Sequence, residues 1–176
     1  LIKERFPHLE IKVQSSDIRC FSDQEYIDEG IDIVDSVSNC DVLFGVKEVP
    51  VNQLIPEKTY LYFSHTHKLQ PYNLKLIRAN LKKNIRLIDY ECLVRPNGRR
   101  VLGFGRFAGL VGAYNALIGY GRKFNGYSLK PAHKCKDLVD MLSELDNVKL
   151  TSEKIVLTGN GRVARGAKEI LDTVGI

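Results

Sequence analysis

Three short, nearly continuous apolar runs, each closing on a cluster of polar residues, constrain this chain most. They are Asp41-Val-Leu-Phe-Gly-Val46, Tyr60-Leu-Tyr-Phe63 and Ile85-Arg-Leu-Ile88. They end in Lys47-Glu48-Val49-Pro50, Ser64-His65-Thr66-His67-Lys68 and Asp89-Tyr90-Glu91. Apolar runs without clean alternation are what buried parallel strands require. Between the second and third, Pro71 to Lys83 reads as a helix packed through Leu74, Ile77, Ala79 and Leu81. Strands alternating with helices at this spacing predict an α/β fold on a parallel sheet. In open sheets of that kind the carboxyl ends of the strands form the ligand crevice. The three polar clusters should therefore converge.

The rest of the chain fits around that sheet. Leu1 to Phe6 reads as a helix end stopped at Pro7, and Glu10 to Gln14 alternates like a strand. Ser22 before Asp23, Gln24 and Glu25 is a helix start, with Gly30 as its stop. Pro96-Asn97-Gly98 turns a small hairpin within Val94 to Leu102. Arg106 to Arg122 is a long helix with two distinct faces. One carries Phe107, Leu110, Val111, Tyr114, Leu117 and Ile118; the other carries Ala108, Gly109, Gly112, Ala113, Ala116 and Gly119. A glycine inside a helix costs about 1 kcal/mol against alanine, so this face is expected to pack closely on another backbone. A further helix is expected over Lys134 to Leu145.

The final stretch carries a motif with a mechanism. Ile155-Val156-Leu157 reads as a strand, followed by Gly159-x-Gly161-x-x-Ala164 and an amphipathic helix. Strand, glycine turn and helix in that order read as a dinucleotide-binding βα unit, the alternative being an ordinary βα turn with glycines for packing. Gly159 allows the turn, Gly161 lets backbone approach a pyrophosphate, and Ala164 keeps helix and strand close. The acidic residue expected about 20 positions on lies past the last residue, which reads as a truncated Rossmann domain. The expected organisation is a substrate and catalytic domain over 1–123 ending in the long helix, a linker and helix over 124–152, and the start of a Rossmann NAD-binding domain over 153–176. A first residue of Leu instead of Met also reads as part of a longer protein.

Composition narrows the function. With 44% hydrophobic and 27% charged residues among 176, the chain reads as ordinary globular protein. No run is long enough to span a membrane, no signal peptide is visible, and a cytoplasmic location is expected. Cys20, Cys40, Cys92 and Cys135 form no C-x-x-C pair and read as reduced thiols. The net charge of +5 is spread along the chain, against a nucleic-acid surface. Phosphates of a cofactor or carboxylates of a small-molecule substrate explain the excess equally well.

Two readings stand for Lys47. Beside His65 it makes an acid/base pair, partly desolvated at a strand end, where a lysine pKa falls toward the working range. Alternatively it is a solvated rim charge paired with Glu48 or Glu91. An imidazole needs no such shift to exchange protons near neutral pH. His65-Thr66-His67 places two histidines on one strand face, but no third ligand has clear spacing, so no metal is expected. His8 and His133 read as surface residues, and Tyr60 and Tyr62 as packing.

Several segments in order carry a resemblance. They are Gly45-Val-Lys-Glu-Val-Pro50, Phe63-Ser-His-Thr-His-Lys68, Ile88-Asp-Tyr-Glu91, Gly98-Arg-Arg-Val-Leu-Gly-Phe-Gly105, Arg106-Phe-Ala-Gly-Leu-Val-Gly-Ala113 and Gly161-Arg-Val-Ala-Arg-Gly-Ala167. They resemble the N-terminal domain of the alanine dehydrogenase and transhydrogenase superfamily, and within it above all NAD-dependent, lysine-forming saccharopine dehydrogenase. The likeness covers Asp41 to Lys123 well and the last 23 residues less fully. It implies a two-domain dehydrogenase with its active site in the interdomain cleft, Lys47 and His65 as catalytic residues, and Glu48, Lys68, Glu91 and Arg100 in supporting or substrate-binding roles. It also implies NAD at Gly159, Gly161, Arg162, Val163 and Ala164, and an amino-acid substrate.

Two features depart from that pattern. The family's opening strand, with an arginine for the substrate carboxylate, would precede Leu1, and His67 stands where another side chain is expected. The fragment alone is expected to be inactive. Competing readings are alanine dehydrogenase-like deamination of a small amino acid, a non-catalytic binding domain of this fold, and a metal-dependent hydrolase using His65 and His67. The glycine-alanine helix face leaves a homo-oligomer open.

Overall fold

The computed structural model describes residues 2–176, so Leu1 lies outside the described residues. The chain forms two compact units, one running to Gly103 and one spanning Phe104–Ile176.

The first unit begins with helix α1 (Ile2–Arg5), strand β1 (Lys12–Gln14), helix α2 (Asp23–Asp28) and strand β2 (Asp32–Val34), with β2 parallel to β1. α2 starts where the sequence predicts. Ser22 and Glu25 exchange side-chain and backbone hydrogen bonds in a capping box, and Gly30 follows the helix at a φ of +69°. Then come β3 (Val42–Lys47), β4 (Thr59–Phe63), helix α3 (Leu74–Lys82) and β5 (Arg86–Asp89). These three strands form a parallel sheet in the order β3-β4-β5. The α/β class with parallel sheets is as expected.

One face of this sheet holds a core of Leu43, Leu54, Tyr60, Tyr62 and Leu76. Tyr60 and Tyr62 are the packing residues expected, and each buried aromatic contributes a gross transfer term of about 4 kcal/mol. Their hydroxyls also find partners: Tyr60 Oη accepts from Ile55 N at 2.8 Å, and Asn80 Nδ2 donates to Tyr62 Oη at 3.4 Å. Burial of β3 on both faces is not found. Val42, Phe44 and Val46 are 45%, 74% and 67% exposed, because only the opposite face meets α3 and its neighbours. α3 likewise turns Leu76 and Asn80 inward and leaves Leu74 and Leu81 exposed.

The second unit is helical. α4 (Gly105–Phe124), α5 (Leu138–Ser143) and α6 (Arg162–Thr173) surround a core that includes Leu110, Tyr114, Leu117, Met141 and Ile170. The sequence assigns the long helix to the end of the first domain; in the structure it groups with α6 in the second unit. The two helices cross where neither carries a side chain. A Cβ on Gly109 would lie 1.9 Å from Val163 O, and one on Gly166 2.0 Å from Arg106 O. Arg106 and Glu169 add a two-pronged ion pair across the crossing, at 2.9 and 2.6 Å. Close packing at Gly109 is therefore as expected, but Gly112 and Gly119 face open space.

The expected strand Ile155–Leu157 does not form, and all three residues are exposed. A strand needs a neighbour for its N–H and C=O groups, and none of the described residues of this unit is in a strand. The helix expected over Lys134 to Leu145 is shorter and irregular. Asp137 caps α5, with 3-10 turns at Ala132–Lys134 and Glu144–Asn147. Among the described residues no helix is long and apolar enough to cross a membrane.

Candidate active site

The polar clusters at the carboxyl ends of β3, β4 and β5 do meet, and backbone irregularity helps to aim them. The register between β3 and β4 slips between Phe44 and Lys47, so that Lys47 lies opposite Phe63. Gly45 sits in this bulge, where an added Cβ would be 3.1 Å from Lys47 O. A bulge bends its strand and re-aims the side chains beyond it. Lys47 ends β3 with its side chain exposed, so the expected desolvation is not found. Glu48 next to it is half-buried, and its Oε2 lies 3.5 Å from His65 Nδ1.

His65 is held in a left-handed conformation, at a φ of +53°. For a side chain with a Cβ that costs on the order of 1 kcal/mol or more and persists only where surroundings over-determine it. Here they do. Ser64, fully buried, donates from Oγ to Asp89 Oδ2 at 2.6 Å, and its backbone N donates to Asp89 Oδ1 at 3.2 Å. Thr66 N donates back to Ser64 Oγ at 3.1 Å. Asn73, at the entrance to α3, donates to the carbonyl oxygens of Ser64 and His65 at 2.9 and 3.3 Å. The β4 end is thus tied to β5 on one side and α3 on the other. His65 is fixed between them, its ring centroid 5.3 Å from that of Phe63.

Glu91 anchors the third cluster. It is buried in a 3-10 turn, Tyr90–Cys92, started by Asp89, whose Oδ1 accepts from Glu91 N at 2.9 Å. The hairpin over Val94 to Arg100 forms as expected, with Gly98 at a φ of +75°, and it brings Arg100 back to Glu91 Oε1 at 2.8 Å. Lys68 approaches the same oxygen at 3.6 Å, and His67 Nδ1 approaches Oε2 at 3.2 Å. Burial alone would raise the Glu91 carboxyl, but His67, Arg100 and Lys68 outweigh it and hold the group below the usual carboxylate range. Two buried oxygens, Glu48 Oε2 and Glu91 Oε2, accept no hydrogen bond.

The glycine turn belongs to the second unit. Gly159 has a φ of +85°, and Gly161 caps α6 with no side-chain acceptor on its first N–H groups. Both glycines face open space, Arg162 opens the helix, Val163 is exposed and Ala164 is half-buried. Open N–H groups at the start of a twelve-residue helix suit an anion. The expected packing of Ala164 on a strand is absent along with the strand.

Sequence reasoning misses the residues that organise the site. Ser64, Asn73 and Asp89 stand in the sequence as ordinary polar residues at strand and helix ends. Their joint role is set by pairing across 25 and 9 positions, which no local spacing displays.

Residues 4–111 match the family described as alanine dehydrogenase/PNT, N-terminal domain. The chain belongs to that family. It is 33% identical to alpha-aminoadipic semialdehyde synthase of Arabidopsis thaliana over 96% of this chain and 18% of that protein. It is 28% identical to the saccharopine dehydrogenase [NAD(+), L-lysine-forming] of Emericella nidulans, over 95% of this chain and 49% of that one. The fold is that of a solved L-alanine dehydrogenase, with a TM-score of 0.56 at 17% identity over 93% of this chain and 44% of that one. The chain thus spans about a fifth of the synthases and half of the fungal dehydrogenase. An alanine dehydrogenase/PNT N-terminal domain of this kind is related to amino-acid dehydrogenases, an oxidoreductase group.

Proposed function

We propose that this chain supplies the acid/base side of an NAD-dependent amino-acid dehydrogenase that cleaves saccharopine oxidatively to lysine and 2-oxoglutarate. The observation that carries this reading is the adjacency of Lys47 and His65 at the ends of neighbouring strands, with Glu48 Oε2 3.5 Å from His65 Nδ1. A nicotinamide cofactor would supply the hydride acceptor, and the residues suited to hold its phosphates are Gly159, Gly161 and Arg162, with Val163 and Ala164 beside them. Lys47 Nζ and the His65 imidazole share the proton transfers. One takes the proton released as the substrate's secondary amine becomes an imine. The other takes a proton from the water that attacks the imine carbon and returns it to the departing amine of lysine. Glu48 orients the His65 ring. Lys68, Glu91 and Arg100 set the charge around the pair, Arg100 being steered by Glu91.

The test is turnover in the intact protein. Lys47→Met should lower kcat by at least about 100-fold, the usual range for a lost acid/base group, with cofactor affinity nearly unchanged. Unchanged kcat would remove Lys47 from the chemistry. Oxidation of saccharopine without turnover of alanine supports the assignment. Turnover of alanine alone would shift it to deamination of a small amino acid, and turnover of neither to a binding role.

A further inference from the structure

Next to the acid/base pair lies a cluster the proposed chemistry does not use. His67 follows β4, Asp89 ends β5, and Cys92 ends the 3-10 turn after it; one donor atom from each lies within 4.8 Å of the other two. We propose that His67, Asp89 and Cys92 form a binding site for one divalent cation of borderline softness, with zinc the best match.

The donor set decides the cation. An imidazole nitrogen, a thiolate and a carboxylate oxygen together suit zinc, whereas calcium and magnesium take oxygen ligands. Bonds of about 2.0–2.3 Å to a tetrahedral zinc place ligand atoms roughly 3.3–3.8 Å apart, so the cluster need close by only about 1 Å. His67 and Cys92 are exposed, and they leave an entry path from solvent. A fourth position stays open to water.

The surroundings are prepared for such an ion. Asp89 is buried and already oriented: Oδ2 accepts from Ser64 Oγ, and Oδ1 from the backbone N–H groups of Ser64 and Glu91. Each carboxylate oxygen has two lone pairs, so Oδ2 retains one for a cation. Ligating carboxylates are commonly held by hydrogen bonds of this sort. Glu91 provides a second, independent sign. Its Oε2 is buried, accepts no hydrogen bond and lies 3.2 Å from His67 Nδ1. A metal-bound imidazole usually gives its other ring nitrogen to a carboxylate. His67 can present one nitrogen to the cation and the other to Glu91.

His65 takes no part in the set. The partners of His67 come from the neighbouring strand end, not from the histidine two residues away.

The experiment reads cation binding, so it stands or falls apart from the dehydrogenase assignment. The intact protein, stripped of metal and reduced, is titrated with zinc by calorimetry and with cobalt(II) by absorption. The expected result is one equivalent bound and a thiolate-to-cobalt charge-transfer band. Cys92→Ser should abolish the band and weaken zinc at least 10-fold, and His67→Gln should weaken zinc similarly. Cys20→Ser, Cys40→Ser and Cys135→Ser should bind like the parent. Matching unfolding curves for Cys92→Ser and the parent exclude a folding defect, which the exposed position of Cys92 makes unexpected. No charge-transfer band in the parent, or zinc affinity within twofold in Cys92→Ser, would overturn the proposal.

Discussion

The ends of β4 and β5 keep their geometry through polar atoms that find partners, whereas α4 and α6 meet through side-chain atoms that are not there. At the strand ends, Ser64, Asn73 and Asp89 surround His65 with directed hydrogen bonds. At the helix crossing, Gly109 and Gly166 let backbone rest on backbone. The first arrangement specifies where a titratable side chain points. The second specifies only how near two helices lie. They should therefore fail to opposite changes: removing atoms harms the strand ends, and adding them harms the crossing.

The largest effect is expected at the crossing. Gly166→Val puts a Cβ where Arg106 O already sits, 2.0 Å away, and a backbone oxygen cannot rotate aside. The helices must separate, at a cost of about 3 kcal/mol or more. Urea unfolding followed by helical circular dichroism measures it, and a loss below about 1 kcal/mol would mean that the helices do not touch there in solution. Next comes Asp89→Ala. It leaves Ser64 N, Ser64 Oγ and Glu91 N without their acceptor, for about 2–3 kcal/mol. Ser64→Ala should cost less, about 1 kcal/mol, and the same unfolding measurement ranks the two.

This contrast also explains what can be read from the chain alone. The apolar runs ending at Val46, Phe63 and Ile88 state strand and parallel pairing in a few contiguous residues, but they also imply burial on both faces, which β3 does not have. Ser22 with Glu25 states a helix start for the same reason. Lys47, His65 and Glu91 are visible as candidates because each lies at or just past the end of its strand. Asp89 with Ser64, and His67 with Cys92, are 25 residues apart, so their association is a product of β4 pairing with β5. Exposure of Lys47 is likewise set by what stands over it, not by its neighbours in sequence. Ile155-Val156-Leu157 has strand-like composition, yet composition cannot supply a partner strand. Along α4 the small residues are legible, but which of them touch anything is decided by α6.

Acid should act on the buried carboxylate at the strand ends, and at the crossing only through the exposed Arg106–Glu169 pair, while the backbone contacts of Gly109 and Gly166 carry no titratable group. The Glu91 carboxyl is held below its ordinary value by His67, Arg100 and Lys68 despite its burial. A carboxylate depressed in the folded state adds stability above its unfolded pKa, about 4.3, and that contribution disappears as pH falls through the lower folded value. Unfolding free energy should therefore drop below about pH 4.3, and Glu91→Gln should flatten that limb while lowering stability at neutral pH. An identical acid limb in Glu91→Gln would assign the loss to other carboxylates.

The smallest expected effect has the opposite sign and sharpens the contrast within a single helix. Gly112 lies in the interior of α4, three residues from Gly109, but a Cβ there meets nothing within 4 Å. Gly112→Ala should thus remove the backbone-entropy penalty without a clash and stabilise the protein by up to about 1 kcal/mol. The same substitution at Gly109 would drive a Cβ to 1.9 Å from Val163 O and must destabilise. If Gly112→Ala also destabilises, the face it shares with Ala116 and Gly119 is covered in solution. A midpoint that then rises with protein concentration in the parent, and not in the variant, would identify the cover as a second copy of the chain.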